Sequence, residues 1–203
     1  RLTNSYQQTI TQAGGAPLLI AVDQEGGVVT RLPDGFTMFP APVLITAAGT
    51  ELAYETGRAT AEELAAVGVN MNLAPVTDLE TYRDNPIIAR RSFGSDPQMV
   101  GETVSAYIQG SQSLNVLSTV KHFPGHGDTR EDSHGTLPVL DLSRERLETV
   151  ELVPFQQAIE AGVAAVMVAH IDYTALDSVP NLPASLSPDI VTGLLRNDMD
   201  FDG

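Results

Sequence analysis

Four short apolar runs, Leu18 to Val22, Val69 to Leu73, Val116 to Val120 and Val163 to Val168, recur at spacings of 47 to 51 residues and restrict the fold of this chain more than any other feature. They lack the polar alternation of a half-exposed strand, which predicts strands covered on both faces. The stretches between them are helical in pattern. Asp96-Pro97 opens one helix, with Val100, Val104, Ile108 and Ser111 on its inner face, because Asp accepts the free N–H groups and Pro has none to waste. Ser187-Pro188 repeats the device. A helix from Glu51 to Val67 is expected to stop at Gly68, and the one before the fourth strand at Gly162, where a left-handed residue closes the last turn. Pro154 divides that last region into one helix from Ser143 and another from Pro154. Parallel neighbours need crossovers, so strand and helix alternating in this way place the chain in the α/β class.

The residues just past each strand select between an open sheet and a closed barrel. Asp23 comes after the first, Asn72 ends the second with Asp78 just beyond, Lys121-His122 come after the third, and His170 after the fourth. In a barrel these ends converge on one mouth, where barrel enzymes hold their chemistry, whereas an open sheet spreads them apart. A (β/α)8 TIM-type barrel is therefore expected. A full barrel takes about 250 residues. The 203 residues predict a single incomplete barrel domain, 1–203, lacking the first strand and the last strands. The opening Arg1 to Gln8 has the pattern of a helix already under way, so a truncated N-terminus is expected.

Charge and composition exclude more than they identify. Eleven Lys and Arg against 26 Asp and Glu give a net charge of −15, which disfavours nucleic acid, anionic membrane surfaces and strongly anionic substrates. The absence of cysteine rules out disulfides, thiol nucleophiles and Cys-ligated zinc, but leaves the compartment open between cytoplasm and cell envelope. No apolar run approaches the roughly 20 residues of a membrane span, so membrane insertion is not expected.

Three of the four histidines, His122, His126 and His134, fall within 13 positions of the segment Lys121 to His134. Its glycines and proline forbid regular structure, so these side chains stand on a loop directly beyond a strand. Asp132 and His134 are close enough for the carboxylate to hold one ring nitrogen while the other faces a substrate, the arrangement of a general acid/base dyad. Two alternatives stay open at this point: histidines that only bond their own loop, and a metal site built from His122, His126, Asp132 and His134. Asp23 and Glu25 offer paired carboxylates, tempting as a glycosidase acid and nucleophile. Asp23 with Arg31 equally suits bidentate bonding to vicinal sugar hydroxyls, and Glu25 equally suits pairing with an arginine. Arg91 in Arg90 to Gly94 adds a cationic donor or a surface salt bridge. His170, at the end of a strand, is either a substrate contact or a satisfied core histidine.

These residues together resemble the β-N-acetylhexosaminidases of glycoside hydrolase family three, found in bacterial peptidoglycan turnover. The resemblance rests on VDQEGGVVTR (Val22 to Arg31), NMNLAP (Asn70 to Pro75), RSFG (Arg91 to Gly94), KHFPGHG followed by Asp132-x-His134, and PFQQAIEAGV ahead of MVAHI. It spans nearly the whole chain. It implies a (β/α)8 barrel that removes terminal β-linked N-acetylglucosamine with retention of configuration, acting on a small saccharide or muropeptide without metal or cofactor. It also implies that His134 is the acid/base and Asp132 its partner, with Asp23, Arg31, Arg91, Lys121 and His122 binding the sugar. The Asp132-x-His134 loop favours the hexosaminidase branch over the family's β-glucosidases, and a non-catalytic sugar-binding protein is the remaining alternative. The nucleophilic aspartate is expected a few residues past Phe201-Asp202-Gly203, so the 203 residues alone are expected to be inactive. Oligomeric state and natural glycan are not legible.

Overall fold

The four apolar runs become parallel neighbours. The computed structural model describes residues 2–82, 85, 87–130 and 135–203. In chain order they form helix α1 (Leu2–Gln12), strands β1 (Ala21–Val22), β2 (Gln24–Gly26) and β3 (Val29–Thr30), helices α2 (Pro42–Ala48) and α3 (Thr50–Ala66), and strand β4 (Met71–Asn72). Then come α4 (Pro97–Gln112), β5 (Leu117–Phe123), β6 (Val139–Leu140), α5 (Arg144–Arg146), α6 (Val153–Glu160), β7 (Ala165–Val168) and β8 (Asp172–Tyr173). Two wider stretches wound as π-helix, Leu147–Glu151 and Asp189–Asp198, and a short 3₁₀ turn at Ala184–Leu186 complete the set.

The main sheet runs β1-β4-β5-β7, every pair parallel, an arc of the (β/α)8 type that does not close among the described residues. Two minor sheets decorate it: the antiparallel hairpin of β2 and β3, and the parallel pair of β6 and β8. Strands covered on both faces, expected for all four runs, occur only at the centre. Ser118, Thr119, Val120 and Lys121 of β5 are buried, while β1 and β7, with one neighbour each among the described residues, are at most partly covered. No helix among the described residues is long and apolar enough to cross a membrane.

The helix ends follow their residues. Asp96 accepts hydrogen bonds from the backbone N–H groups of Gln98 and Met99 at 3.0 and 2.9 Å, and α4 buries Val100, Val104 and Ile108. Gly68 and Gly162 take the left-handed conformation after α3 and α6, with φ of 81° and 79°. Pro154 lies in the first turn of α6 and does divide the region that begins at Ser143, whose hydroxyl caps Arg146. Ser187 accepts from the Ile190 N–H at 3.1 Å, although the helix it opens is wound wide. Helices α3 and α4 touch backbone to backbone, since a Cβ on Gly57 would collide with the Tyr107 carbonyl and one on Gly110 with that of Tyr54. Between sheet and helices sits the core, with Val104, Ile108, Phe123, Phe155 and Ile171 fully buried. Each such side chain contributes about 1.5–3 kcal/mol. The core holds the strands in place and delivers their ends to one side.

Candidate active site

The end of β5 is the centre of the site. The ladder between β5 and β7 slips at this point, Lys121 facing Met167 and Phe123 facing Val168, so that His122 is the extra residue of a bulge. Lys121 and His122, which a regular strand would point to opposite faces, both line one cavity. Lys121 is buried, and its Nζ donates to Asp23 Oδ1 at 2.7 Å and pairs with Glu25 Oε1 at 2.6 Å. Arg91 grips the same glutamate in a fork, Nε to Oε2 and Nη2 to Oε1, both at 2.8 Å. Burial alone raises the Glu25 pKa, but Arg91 and Lys121 outweigh it and hold the carboxyl below its ordinary value. Glu25 is thus a fixed counter-ion, the pairing alternative of its sequence motif, and not a proton donor. The Arg91 salt bridge is partly buried, not superficial.

The hairpin beyond β1 is tied down by amide side chains. Asn72 accepts from the Gln24 N–H at 3.0 Å and donates to its carbonyl at 2.9 Å. The Gln24 side chain in turn accepts from the Arg31 and Leu32 N–H groups at 3.0 and 3.1 Å, which brings Arg31 back over the strand ends. The tight turn between β2 and β3 requires Gly26 and Gly27, with φ of 87° and 57°.

A second network joins the loop after β4 to the loop after β5. The chain from Leu73 onward keeps pairing with β5, through Thr119 N–H to Ala74 O at 3.0 Å and Thr77 N–H to Lys121 O at 2.7 Å. This carries Asp78, fully buried, beneath His122. Asp78 Oδ1 accepts from the His122 and His126 backbone N–H groups at 3.0 and 2.7 Å, and Oδ2 lies 2.6 Å from His122 Nδ1. Burial works to raise the Asp78 pKa, yet His122, His126 and these hydrogen bonds keep it below its ordinary value. Thr129 Oγ1 lies 2.7 Å from His126 Nδ1, and burial pushes the His126 pKa down. Asn85 donates to the carbonyls of His126 and Gly127 at 3.1 and 2.9 Å. Gly127 packs so tightly on the Leu79 carbonyl that no Cβ fits.

The resulting cavity, about 580 Å³, is lined by Asp23, Arg31, Arg91, Lys121, His122 and His170, with apolar wall from Leu73, Ile87 and Met167. The five expected sugar-binding residues and His170 therefore line one cavity. His170 comes from the end of β7, its Nδ1 2.6 Å from Ser185 Oγ. Asp132 and His134, the expected dyad, lie outside the described residues. Among the described residues no group of three or more His, Asp or Glu converges as a metal cage. Nothing in residue spacing marks Asp78 or Ser185 as partners of His122 and His170. The one available signal for Asp78 is its position just past a strand. A second cavity, about 530 Å³, lies between the outer helices at Leu152, Gln156, Leu194 and Met199 and draws on none of these groups.

Charge balance decides what such a cavity accepts. Lining the cavity, the carboxylates of Asp23 and Glu25 are paired with the cations of Lys121 and Arg91, and Arg31 adds one further positive charge, leaving oriented donors and acceptors with little net charge. That suits a neutral, hydroxyl-rich ligand better than an ion.

Known proteins resemble this chain along its whole length. The model of the glycosyl hydrolase family 3 N terminal domain matches residues 1–203. A beta-hexosaminidase of Tolumonas auensis is 43% identical over 200 residues, covering 97% of this chain and 58% of the relative, so the chain spans little more than half of that protein. Among solved structures, a glycoside hydrolase family 3 beta-N-acetylglucosaminidase from Paenibacillus sp. str. FPU-7 superposes with a TM-score of 0.96 at 45% identity, covering all of this chain and 38% of that one. NagZ from Neisseria gonorrhoeae, in complex with N-trifluoroacetyl-D-glucosamine, superposes with a TM-score of 0.89 at 35% identity, covering 99% and 60% of the two chains.

Proposed function

The chain belongs to glycosyl hydrolase family 3, and on that premise we propose that its gene product is a retaining glycoside hydrolase removing terminal β-linked N-acetylhexosamine from small saccharides, with peptidoglycan fragments as the natural class. The observation that carries the reading is the cavity at the ends of the parallel strands, in which Lys121 and Arg91 with their carboxylate partners Asp23 and Glu25, together with Arg31, present oriented hydrogen-bonding groups at little net charge. The names of the relatives, beta-hexosaminidase and beta-N-acetylglucosaminidase, support it.

In this mechanism Asp23, Arg31 and Arg91 bind the sugar hydroxyls and acetamido group together with Lys121, His122 and His170. Lys121 has spent two of its three N–H bonds on Asp23 and Glu25, which aims the third. His134, oriented by Asp132, protonates the leaving oxygen while an aspartate from the stretch following Gly203 attacks the anomeric carbon. His134 then takes a proton from the water that releases the sugar. No metal or cofactor enters these steps.

The test is hydrolysis of an aryl β-N-acetylglucosaminide by the full-length gene product and its H134A variant. General acid/base assistance is worth about a hundredfold or more, so the variant is expected to lose at least that much in kcat. Equal turnover by both proteins sinks the assignment of His134. Preference for an aryl β-glucoside points to the glucosidase branch, and saccharide binding without cleavage to a non-catalytic protein.

A further inference from the structure

His122 meets the cavity with one nitrogen already taken. Its Nδ1 lies 2.6 Å from Asp78 Oδ2, and the other oxygen of the same carboxylate accepts two backbone N–H groups, those of His122 and His126. Asp78 is fully buried and ionised, so it can only accept. The hydrogen on Nδ1 is therefore dictated, and the nitrogen left for a ligand is Nε2. We propose that Asp78 is a positioning residue for sugar binding: it locks the His122 ring by holding the Nδ1 hydrogen, so that Nε2 is the nitrogen offered as an acceptor to a sugar hydroxyl beside the donor of Lys121.

An acceptor and a donor on consecutive residues match a pair of neighbouring hydroxyls, one donating to His122 and the next accepting from Lys121. The bulge at His122 is what lets both side chains share one face. Asp78 does not itself line the cavity; it acts through His122. The loop carrying His122 is braced for this role by Asn85 on the His126 and Gly127 carbonyls, and by the close contact of Gly127 with Leu79.

The geometry makes the isosteric change informative. In Asp78→Asn the two backbone N–H groups hold the amide oxygen on their side, which turns the amide NH2 toward His122 Nδ1. That nitrogen must then accept, and the hydrogen moves to Nε2. The proposed acceptor becomes a donor without a change of shape or a loss of packing.

This inference rests on the glycosidase reading for its kinetic arm only. In the full-length gene product, D78N is expected to lower kcat/KM for an aryl N-acetylglucosaminide about tenfold, mainly through KM, because a misdirected hydrogen bond is lost in ground and transition state alike. In an H122A background the same change is expected to cost less than about threefold, since Asp78 then has no ring to direct. An equal cost in both backgrounds overturns the proposal. The second arm is independent of turnover: 15N NMR of histidine-labelled protein should show His122 protonated at Nδ1 in the parent and at Nε2 in D78N. An Nε2-protonated neutral His122 in the parent overturns the proposal even if hydrolysis is found. If the parent protein hydrolyses nothing, the function proposed above fails while the tautomer measurement still decides the role of Asp78.

Discussion

Two buried glutamates, one at the mouth and one in the helical layer, are both gripped by an arginine and yet behave oppositely. Glu25 is held by Arg91 in a two-bond fork and by Lys121, partners whose side chains are only 14% and 2% exposed. Glu151, in the π-wound stretch before α6, is held among the described residues by Arg146, 2.9 Å away and 41% exposed. Burial raises the pKa of both. At Glu25 the two sheltered cations overcome it and the net shift is downward, whereas at Glu151 burial wins over Arg146 and the net shift is upward. A buried carboxylate is a dependable anion only where its partners are as numerous and as dry as it is. The mouth meets that condition, and the helical layer does not.

The largest effect expected from breaking this contrast is in E25A. The change takes from Arg91 its two-bond partner and leaves Lys121 with Asp23 alone, and removing one member of such a group costs about 3–5 kcal/mol. Urea unfolding of the gene product checks it, and a loss under about 1 kcal/mol would show that the cations find other partners. Next, K121M keeps the bulk of the side chain but removes the donor aimed into the cavity. A charged hydrogen bond lost there lowers kcat/KM by about tenfold to a hundredfold on an aryl N-acetylglucosaminide.

Acid then separates the two glutamates. Since the folded pKa of Glu25 lies below its ordinary 4.5, its stabilising contribution is present above pH 4.5 and drains away as pH falls below it. Glu151 has a raised pKa, so its contribution is greatest when protonated and declines as pH rises from 4.5 through the folded value. Stability measured against pH should lose slope below 4.5 in E25Q and above 4.5 in E151Q. Both variants flattening the same window would erase the distinction. The smallest effect is that of E151Q at neutral pH, within about 1 kcal/mol of the parent, because a half-exposed arginine loses little when its partner becomes neutral. A cost equal to that of E25A would mean that Arg146 is worth as much as Lys121 and Arg91 together.

Much of the architecture is local and therefore legible in residue order. The α/β class, the four parallel strands, the Asp96 cap and the division at Pro154 follow from hydrophobic period and from groups that act on neighbours a few residues away. The convergence of Asp23, Arg31, Arg91, Lys121, His122 and His170 on one cavity is legible for a related reason, since parallel strands present all their C-terminal ends on one side. The depth of each strand is not. Coverage depends on how many neighbours a strand acquires, so among the described residues β5, paired on both sides, is buried while β1 and β7, paired on one, are partly exposed, although all four runs look alike as sequence.

Partner choice belongs wholly to the tertiary structure. Glu25 meets Lys121 and Arg91 across 66 or more positions of chain, and Asp78 reaches His122 across 44. Separations of that size leave no periodic trace, because the contacts exist only once the sheet has set the register of β4 and β5 and the bulge has turned His122 inward. The sequence by itself determined which side chains stand at the mouth; the packed sheet decided which carboxylate holds which cation or ring.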